Sequence, residues 1–211
     1  MKLEACQNLF ATPVLSFSLP DADRLNAELM TEIAAMRAAS AGVQKTNKQG
    51  WHSKGGVFTA PEGPMRELSD HIREAFFAAT RLIAPNFDID AHEARFQGWV
   101  NVNPKGGYNI PHVHPGHQWS GCYYVAQPEV SDGTSGVIEF LDPRGSLADV
   151  TMLKAPAFGS AYRLRPAAGT LLVFPSYLVH WVHPNQQDAD RVSIAWNGRF
   201  KRRQDTPAET D

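Results

Sequence analysis

Five of the chain's eight histidines fall in two short stretches: His112, His114 and His117 in "PHVHPGHQWSG", then His180 and His183 in "FPSYLVHWVHP". Imidazole is the commonest metal ligand among side chains, and histidine ligands need only a common focus. Residues two apart in an extended segment point the same way, so His112 and His114 can aim both rings at one point. A third ligand has to come from a distant strand. "GTLLVFPSYLVHWVHP" supplies His180 directly after a run that reads as a buried strand. Three nitrogens on one face of a metal leave open positions for exogenous ligands. Taken singly, a loop histidine is more often a hydrogen-bonding surface residue. The H-x-H pair followed by a strand-then-histidine segment, inside an all-β run, is what points to a metal site. His117 and His183 read as rim or supporting residues, and His52, His71 and His92 have no partner visible in the sequence.

The elements that must position these ligands begin at about residue 94. From there short runs rich in Val, Ile, Phe, Tyr and Trp alternate with Gly, Pro, Asn and Asp clusters. The runs are "ARFQGWVNV", "SGCYYV", "GVIEFL", "SAYRLRP", "GTLLVFP" and "RVSIAWNGRF". Six or more short strands at this spacing predict an antiparallel sandwich or barrel. Two helical patterns precede them. In "PDADRLNAELMTEIAAMRAAS" the residues Leu25, Leu29, Ile33 and Met36 share one face, with Asp21 or Asp23 able to cap the start. In "PMRELSDHIREAFFAATRLIAP", Met65, Leu68, Ile72, Phe76 and Ala79 form a stripe between Pro64 and Pro85. Both are expected to cover a sheet. The stretch between them, residues 41–63, has little periodicity and reads as a long loop with short strand pieces.

At 211 residues and 43% hydrophobic content the chain can bury one substantial core but not two. The expectation is a single domain over 1–211: a helical and loop portion to residue 93, a β core over 94–200, and a frayed tail over 201–211. A formal charge of −2 argues against an obligatory nucleic-acid partner. Cys6 and Cys122 are far apart with no metal-type spacing, which fits a reducing cytoplasm. The N-terminus lacks a secretory apolar core, and no run approaches the roughly 20 apolar residues of a membrane span.

Residues 108–197 resemble the Fe(II)/2-oxoglutarate oxygenase superfamily, especially its prolyl-hydroxylase-like branch. There an H-x-D pair precedes a "YYL"-type strand, a Gly- and Phe-bearing strand follows, and a distal histidine is trailed by a basic residue. Here "HVHPGHQWSGCYYV", "GVIEFLDPR", "GTLLVFPSYLVH" and "RVSIAWN" stand in that order. The chain is also similar to a group of bacterial and phage proteins carrying H-x-H-P and then S-G-x-Y-Y. The resemblance implies a double-stranded β-helix, a cupin-like jelly roll with N-terminal helices on one sheet, holding Fe(II) and using 2-oxoglutarate as co-substrate. It implies His112, His114 and His180 as catalytic iron ligands. Arg191 would grip the remote carboxylate of 2-oxoglutarate, because a guanidinium fork is planar and always charged. Ser193 and Tyr124 would be the accompanying hydroxyl donors. The expected activity is dioxygen-dependent hydroxylation of a small-molecule or peptide substrate.

One departure stands out: His114 occupies the position of the superfamily's usual Asp or Glu, leaving the iron centre one unit more positive. Glu139 or Asp142 in "GVIEFLDPR" could supply a carboxylate instead. Two other readings compete. "GTLLVFPSYLVH" nearly follows the second cupin motif, with Gly169, Pro175 and His180 in register but Tyr177 where that motif has glycine. A three-histidine dioxygenase without 2-oxoglutarate would fit it. A non-enzymatic metal-binding barrel, with Trp51, Trp99, Trp119, Trp181 and Trp196 forming a ligand or partner surface, is the third. The substrate is not legible, although Lys105, Gly106, Gly107, Asn109, Arg144 and the loop 41–63 with Trp51 and His52 can wall a cleft. Edge strands leave a homodimer open.

Overall fold

A computed structural model describes residues 2–7, 9–130, 133–144 and 159–203. In chain order the elements are β1 (Leu15–Ser18), α1 (Ala22–Ala39), β2 (Asn47–Lys48), β3 (Trp51–His52), α2 (Pro64–Ile83), β4 (His92–Asn103), β5 (Tyr108–His112), β6 (Trp119–Ala126), β7 (Ile138–Leu141), β8 (Ala161–Leu164), β9 (Thr170–Pro175), β10 (His180–Val182) and β11 (Arg191–Arg202). They form a six-stranded sheet, ordered β1-β9-β6-β11-β4-β3, facing a five-stranded sheet, ordered β2-β5-β10-β7-β8. Pairing is antiparallel throughout both sheets. This is the expected double-stranded β-helix with two flanking helices.

Strand alternation sorts the larger sheet's residues between two cores. Val100, Val102, Tyr123, Val125, Leu171, Val173, Val192, Ile194 and Trp196 pack with Leu25, Leu29, Ile33, Met65, Leu68, Ile72 and Phe76 from the helices. Each such apolar side chain contributes roughly 1.5–3 kcal/mol on burial, so this layer is the main stabilising contact. The alternate residues Cys122, Tyr124, Leu172 and Phe174 face the other sheet, against Ile138, Phe140 and Leu178. β11 lies between β4 and β6 and pairs with both along its length, which holds Arg191 and Ser193 in a fixed register. Close approach of α2 needs a glycine: a Cβ at Gly198 would come within 2.6 Å of the Phe76 ring.

Several local expectations change. The N-terminal stretch contributes an edge strand, β1, which pairs with β9; at four residues it was too short for periodicity to reveal. Asp21 occupies the N-cap of α1 in a left-handed conformation (φ 48°, ψ 33°), and its side chain makes no capping hydrogen bond. The 41–63 loop does contain short strands, β2 and β3, one joined to each sheet. Lys201 and Arg202 belong to β11 rather than to a tail, and the expected frayed segment from residue 204 lies outside the described residues. Among the described residues no helix is long and apolar enough to cross a membrane.

Candidate active site

β5 and β10 are neighbours, and their register sets His180 directly opposite His112. The two rings lie 4.4 Å apart, centroid to centroid. β5 ends at His112, so His114 is not oriented by strand alternation as expected. Its backbone N–H instead donates to the Ser176 carbonyl (3.0 Å), tying it to the turn between β9 and β10. That anchor brings the His114 ring within 4.9 Å of His112 and 5.2 Å of His180. One potential ligand atom from each of the three residues lies within 4.8 Å of the others.

The tautomers suit coordination. His112 Nδ1 lies 2.7 Å from the Ile110 carbonyl, and His180 Nδ1 lies 2.8 Å from the Leu178 carbonyl. A carbonyl can only accept, so both Nδ1 atoms carry the proton and both Nε2 lone pairs are free. Burial holds the three rings neutral: His112 is lowered by desolvation, His180 falls to about 4 and His114 to about 3, the last two further lowered by their neighbouring imidazoles. Neutral imidazoles with free lone pairs are what a divalent transition metal requires.

Deeper between the sheets, Arg191 is 1% exposed. Its NH1 donates to Ser193 Oγ at 3.2 Å, and its guanidinium sits 5.1 Å from the Tyr124 ring centroid. Arg191 Nε and NH2 and the Tyr124 hydroxyl are buried without a hydrogen-bond partner. Burial raises the Tyr124 phenol well above its ordinary value, so it stays protonated and able to donate. Buried polar groups in folded proteins are nearly always satisfied, and a buried guanidinium without an anion is costly. This cradle of donors fits a small carboxylate, and the three sequence-assigned residues Arg191, Ser193 and Tyr124 all line it.

Neither candidate carboxylate reaches the histidine cluster. Glu139 is hydrogen-bonded to His183 (2.8 Å) and Arg163 (2.5 Å), and Asp142 is engaged by Arg144. Among the described residues the ligand set is therefore three imidazoles. His117 meets Gln97 at the rim (3.2 Å). His71 lies beside Glu74 on α2 and His92 against Phe87, both away from the cluster. Trp119 and Trp196 are buried and Trp51, Trp99 and Trp181 are half-buried, so the five tryptophans do not form one exposed surface.

Sequence reasoning missed Trp99, Asn101 and Asn103. They alternate with Val100 and Val102 in "GWVNVN" and so face the barrel interior. The period-2 pattern was there to be read; an interior polar face was the unexpected part. Trp99 lies 5.7 Å from the His114 ring. His52, expected from sequence only as part of a loop walling a cleft, stacks on Trp99 at 5.6 Å and 9°.

Fold and cluster together define a jelly-roll protein with three converging imidazoles and a buried guanidinium further in. Residues 97–197 match the family model described as "Putative 2OG-Fe(II) oxygenase". The chain's fold is similar to a Pseudomonas putida prolyl-4-hydroxylase at 18% identity and TM-score 0.61, covering 93% of this chain and 96% of that one. It is also similar to HygX from Streptomyces hygroscopicus, solved with nickel and 2-oxoglutarate, at 12% identity, TM-score 0.57 and 89% and 83% coverage. A Trichoplax adhaerens prolyl hydroxylase, in complex with a hypoxia-inducible-factor peptide fragment, matches at 12% identity, TM-score 0.61 and 88% and 83% coverage. No curated protein matches in sequence.

Proposed function

We propose that this protein is an Fe(II)- and 2-oxoglutarate-dependent oxygenase that binds its iron through His112, His114 and His180. Its co-substrate's remote carboxylate then rests on Arg191, Ser193 and Tyr124. The observation that carries the reading is the buried guanidinium of Arg191, whose Nε and NH2 have no acceptor and which has no anion beside it among the described residues, next to the unpartnered Tyr124 hydroxyl. A dicarboxylate reaching inward from the metal supplies the missing anion, whereas a three-histidine centre without 2-oxoglutarate gives Arg191 no partner. Fe(II) with 2-oxoglutarate and dioxygen supplies the oxidising power to hydroxylate an unactivated C–H bond.

The chain's own residues contribute position and environment. The Ile110 and Leu178 carbonyls lock the tautomers of His112 and His180 and hold their rings in place. Arg191 accepts a bidentate carboxylate, and Tyr124 donates to the same group. Leu172, Phe174, Phe140 and Ile138 keep bulk water from the space between the sheets. In this reading residues 1–211 act as one domain in the cytoplasm, where the free thiols of Cys6 and Cys122 stay reduced.

The test is anaerobic titration of the Fe(II)-reconstituted protein with 2-oxoglutarate, following the visible charge-transfer band of the bidentate chelate. A saturable band supports the assignment. Iron binding without any band rejects the co-substrate role.

A further inference from the structure

Pairing across the larger sheet sets four side chains in one row. His52 on β3 is opposite Asn101 on β4, Asn101 is opposite Ser193 on β11, and Ser193 is opposite Tyr124 on β6. Directly opposed residues point to the same face, so all four look into the barrel. Ser193 and Tyr124 fall to the co-substrate cradle. His52 and Asn101 are 4% and 5% exposed, and the co-substrate reading gives them no role.

Both carry unused hydrogen-bonding capacity. His52 Nδ1 lies 2.6 Å from the Ser53 carbonyl, which assigns that nitrogen as the donor and leaves Nε2 as an acceptor. No other hydrogen bond to the His52 ring occurs among the described residues. Asn101 Oδ1 is buried with no partner. Trp99, two residues before Asn101 on the same face of β4, lies 5.6 Å from the His52 ring and 5.7 Å from the His114 ring, so this pair sits beside the histidine cluster rather than apart from it. A flat indole wall thus adjoins two acceptors, and the Asn101 carboxamide adds a donor. Among the residues that strand alternation turns to this face of β4, β11 and β6, charge is carried by Arg191, which the co-substrate reading uses, and by Glu93, Arg95, Arg199 and Lys201, which are exposed towards the far end of β4 and β11; Lys45, which acts electrostatically on His52, is exposed too.

We propose that His52, Asn101 and Trp99 form the subsite that selects the substrate, and that it takes an uncharged primary carboxamide. The two N–H groups of such an amide match His52 Nε2 and Asn101 Oδ1, its carbonyl matches Asn101 Nδ2, and its plane lies along Trp99. A site built to satisfy N–H groups discriminates strongly against analogues without them, because its own buried acceptors are then left unpaired. The proposal rests on the oxygenase reading for its meaning as a substrate site, but binding can be measured without it.

Three probes with one skeleton separate the chemistries: N-acetylglycinamide, its methyl ester counterpart and N-acetylglycinate. Each is titrated into the protein loaded with Zn(II), a diamagnetic ion in place of iron, and 2-oxoglutarate, following the His52 imidazole resonances by NMR. The amide is expected to give a saturable shift, with the ester and the carboxylate at least about tenfold weaker. His52→Phe, which keeps a ring on Trp99, and Asn101→Leu should each weaken amide binding about tenfold or more, read from Trp99 indole resonances. Neither should change 2-oxoglutarate affinity. Asn101→Ser serves if the leucine variant does not fold. No amide shift, or equal shifts from all three probes, overturns the proposal. So does a loss of 2-oxoglutarate affinity in the two variants matching that of Arg191→Ala, which would move these residues into the co-substrate site. Repeating the amide titration on metal-free protein keeps the two readings apart. If wild type shows no 2-oxoglutarate band yet binds the amide, the co-substrate assignment fails and the amide subsite stands.

Discussion

At the scale of single residues, the centre depends on three neutral imidazoles and one unpaired cation. Replacing His180 by Ala removes one ligand of three, and stoichiometric Fe(II) binding is expected to disappear while the circular dichroism spectrum is retained. His114→Asp tests the ligand that departs from the superfamily pattern. An added carboxylate neutralises one unit of charge at the metal and makes the iron more electron-rich. The variant should bind Fe(II) and show its 2-oxoglutarate charge-transfer band at longer wavelength than wild type; an unmoved band would mean that residue 114 is not a ligand. Arg191→Met separates the two consequences of a buried guanidinium. Without ligand, the methionine variant should melt at a higher temperature than wild type, because an uncompensated buried charge has been removed. Its 2-oxoglutarate affinity should fall by about 2–5 kcal/mol, on the order of a hundredfold or more, measured by calorimetry.

At the scale of elements, β11 is the strand on which the site depends. One face carries Arg191 and Ser193, and the other carries Val192, Ile194 and Trp196 into the helix-covered core. α2 holds that second face, chiefly through Phe76, whose ring lies 4.8 Å from Phe96, 4.6 Å from Phe200 and 6.5 Å from Trp196. Phe76→Ala should cost about 3–5 kcal/mol. For a chain of this size that corresponds to a fall of roughly 6–20 °C in melting temperature. Scanning calorimetry checks it, and a change of under about 2 °C would show that α2 does not brace the sheet. The short β10 has the complementary role. It delivers His180 between β5 and β7, and its register decides which histidine of the H-x-H pair faces His180 across the strands.

At the scale of the whole molecule, stability and metal occupancy are linked through pH. His114 and His180 have folded values of about 3 and about 4, below the ordinary value of 6.5, and His112 is lowered too. Between those limits the unfolded chain binds more protons than the folded one, so stability falls as pH falls from about 6.5 towards 3–4. Protons also compete with metal for the same nitrogens. The metal-free protein should therefore melt at progressively lower temperature as pH is reduced from 7.5 to 5. Added Fe(II) should raise the melting temperature strongly at pH 7.5 and little at pH 5. A melting temperature of the metal-free protein independent of pH over that range would contradict the buried neutral triad.

The sequence by itself determined an antiparallel β core with two covering helices and the histidines that come together. Strand alternation, helical stripes and the H-x-H pair are local patterns that survive folding unchanged, and the resemblance in motif order pointed to the jelly roll and singled out Arg191, Ser193 and Tyr124 although they lie on separate strands. What only the tertiary structure decided depends on register between distant segments. It sets His180 opposite His112 and ties His114 to Ser176 by a backbone bond that no spacing rule encodes. It also turns Glu139 to His183 and Arg163, leaving three imidazoles without a carboxylate. His52 and Asn101, separated from each other and from Tyr124 in the sequence with no obvious pattern, become one polar row because β3, β4, β11 and β6 are neighbours in space. A side chain's type is written in the sequence, but which unpaired donors and acceptors it will face is fixed only when the strands have paired.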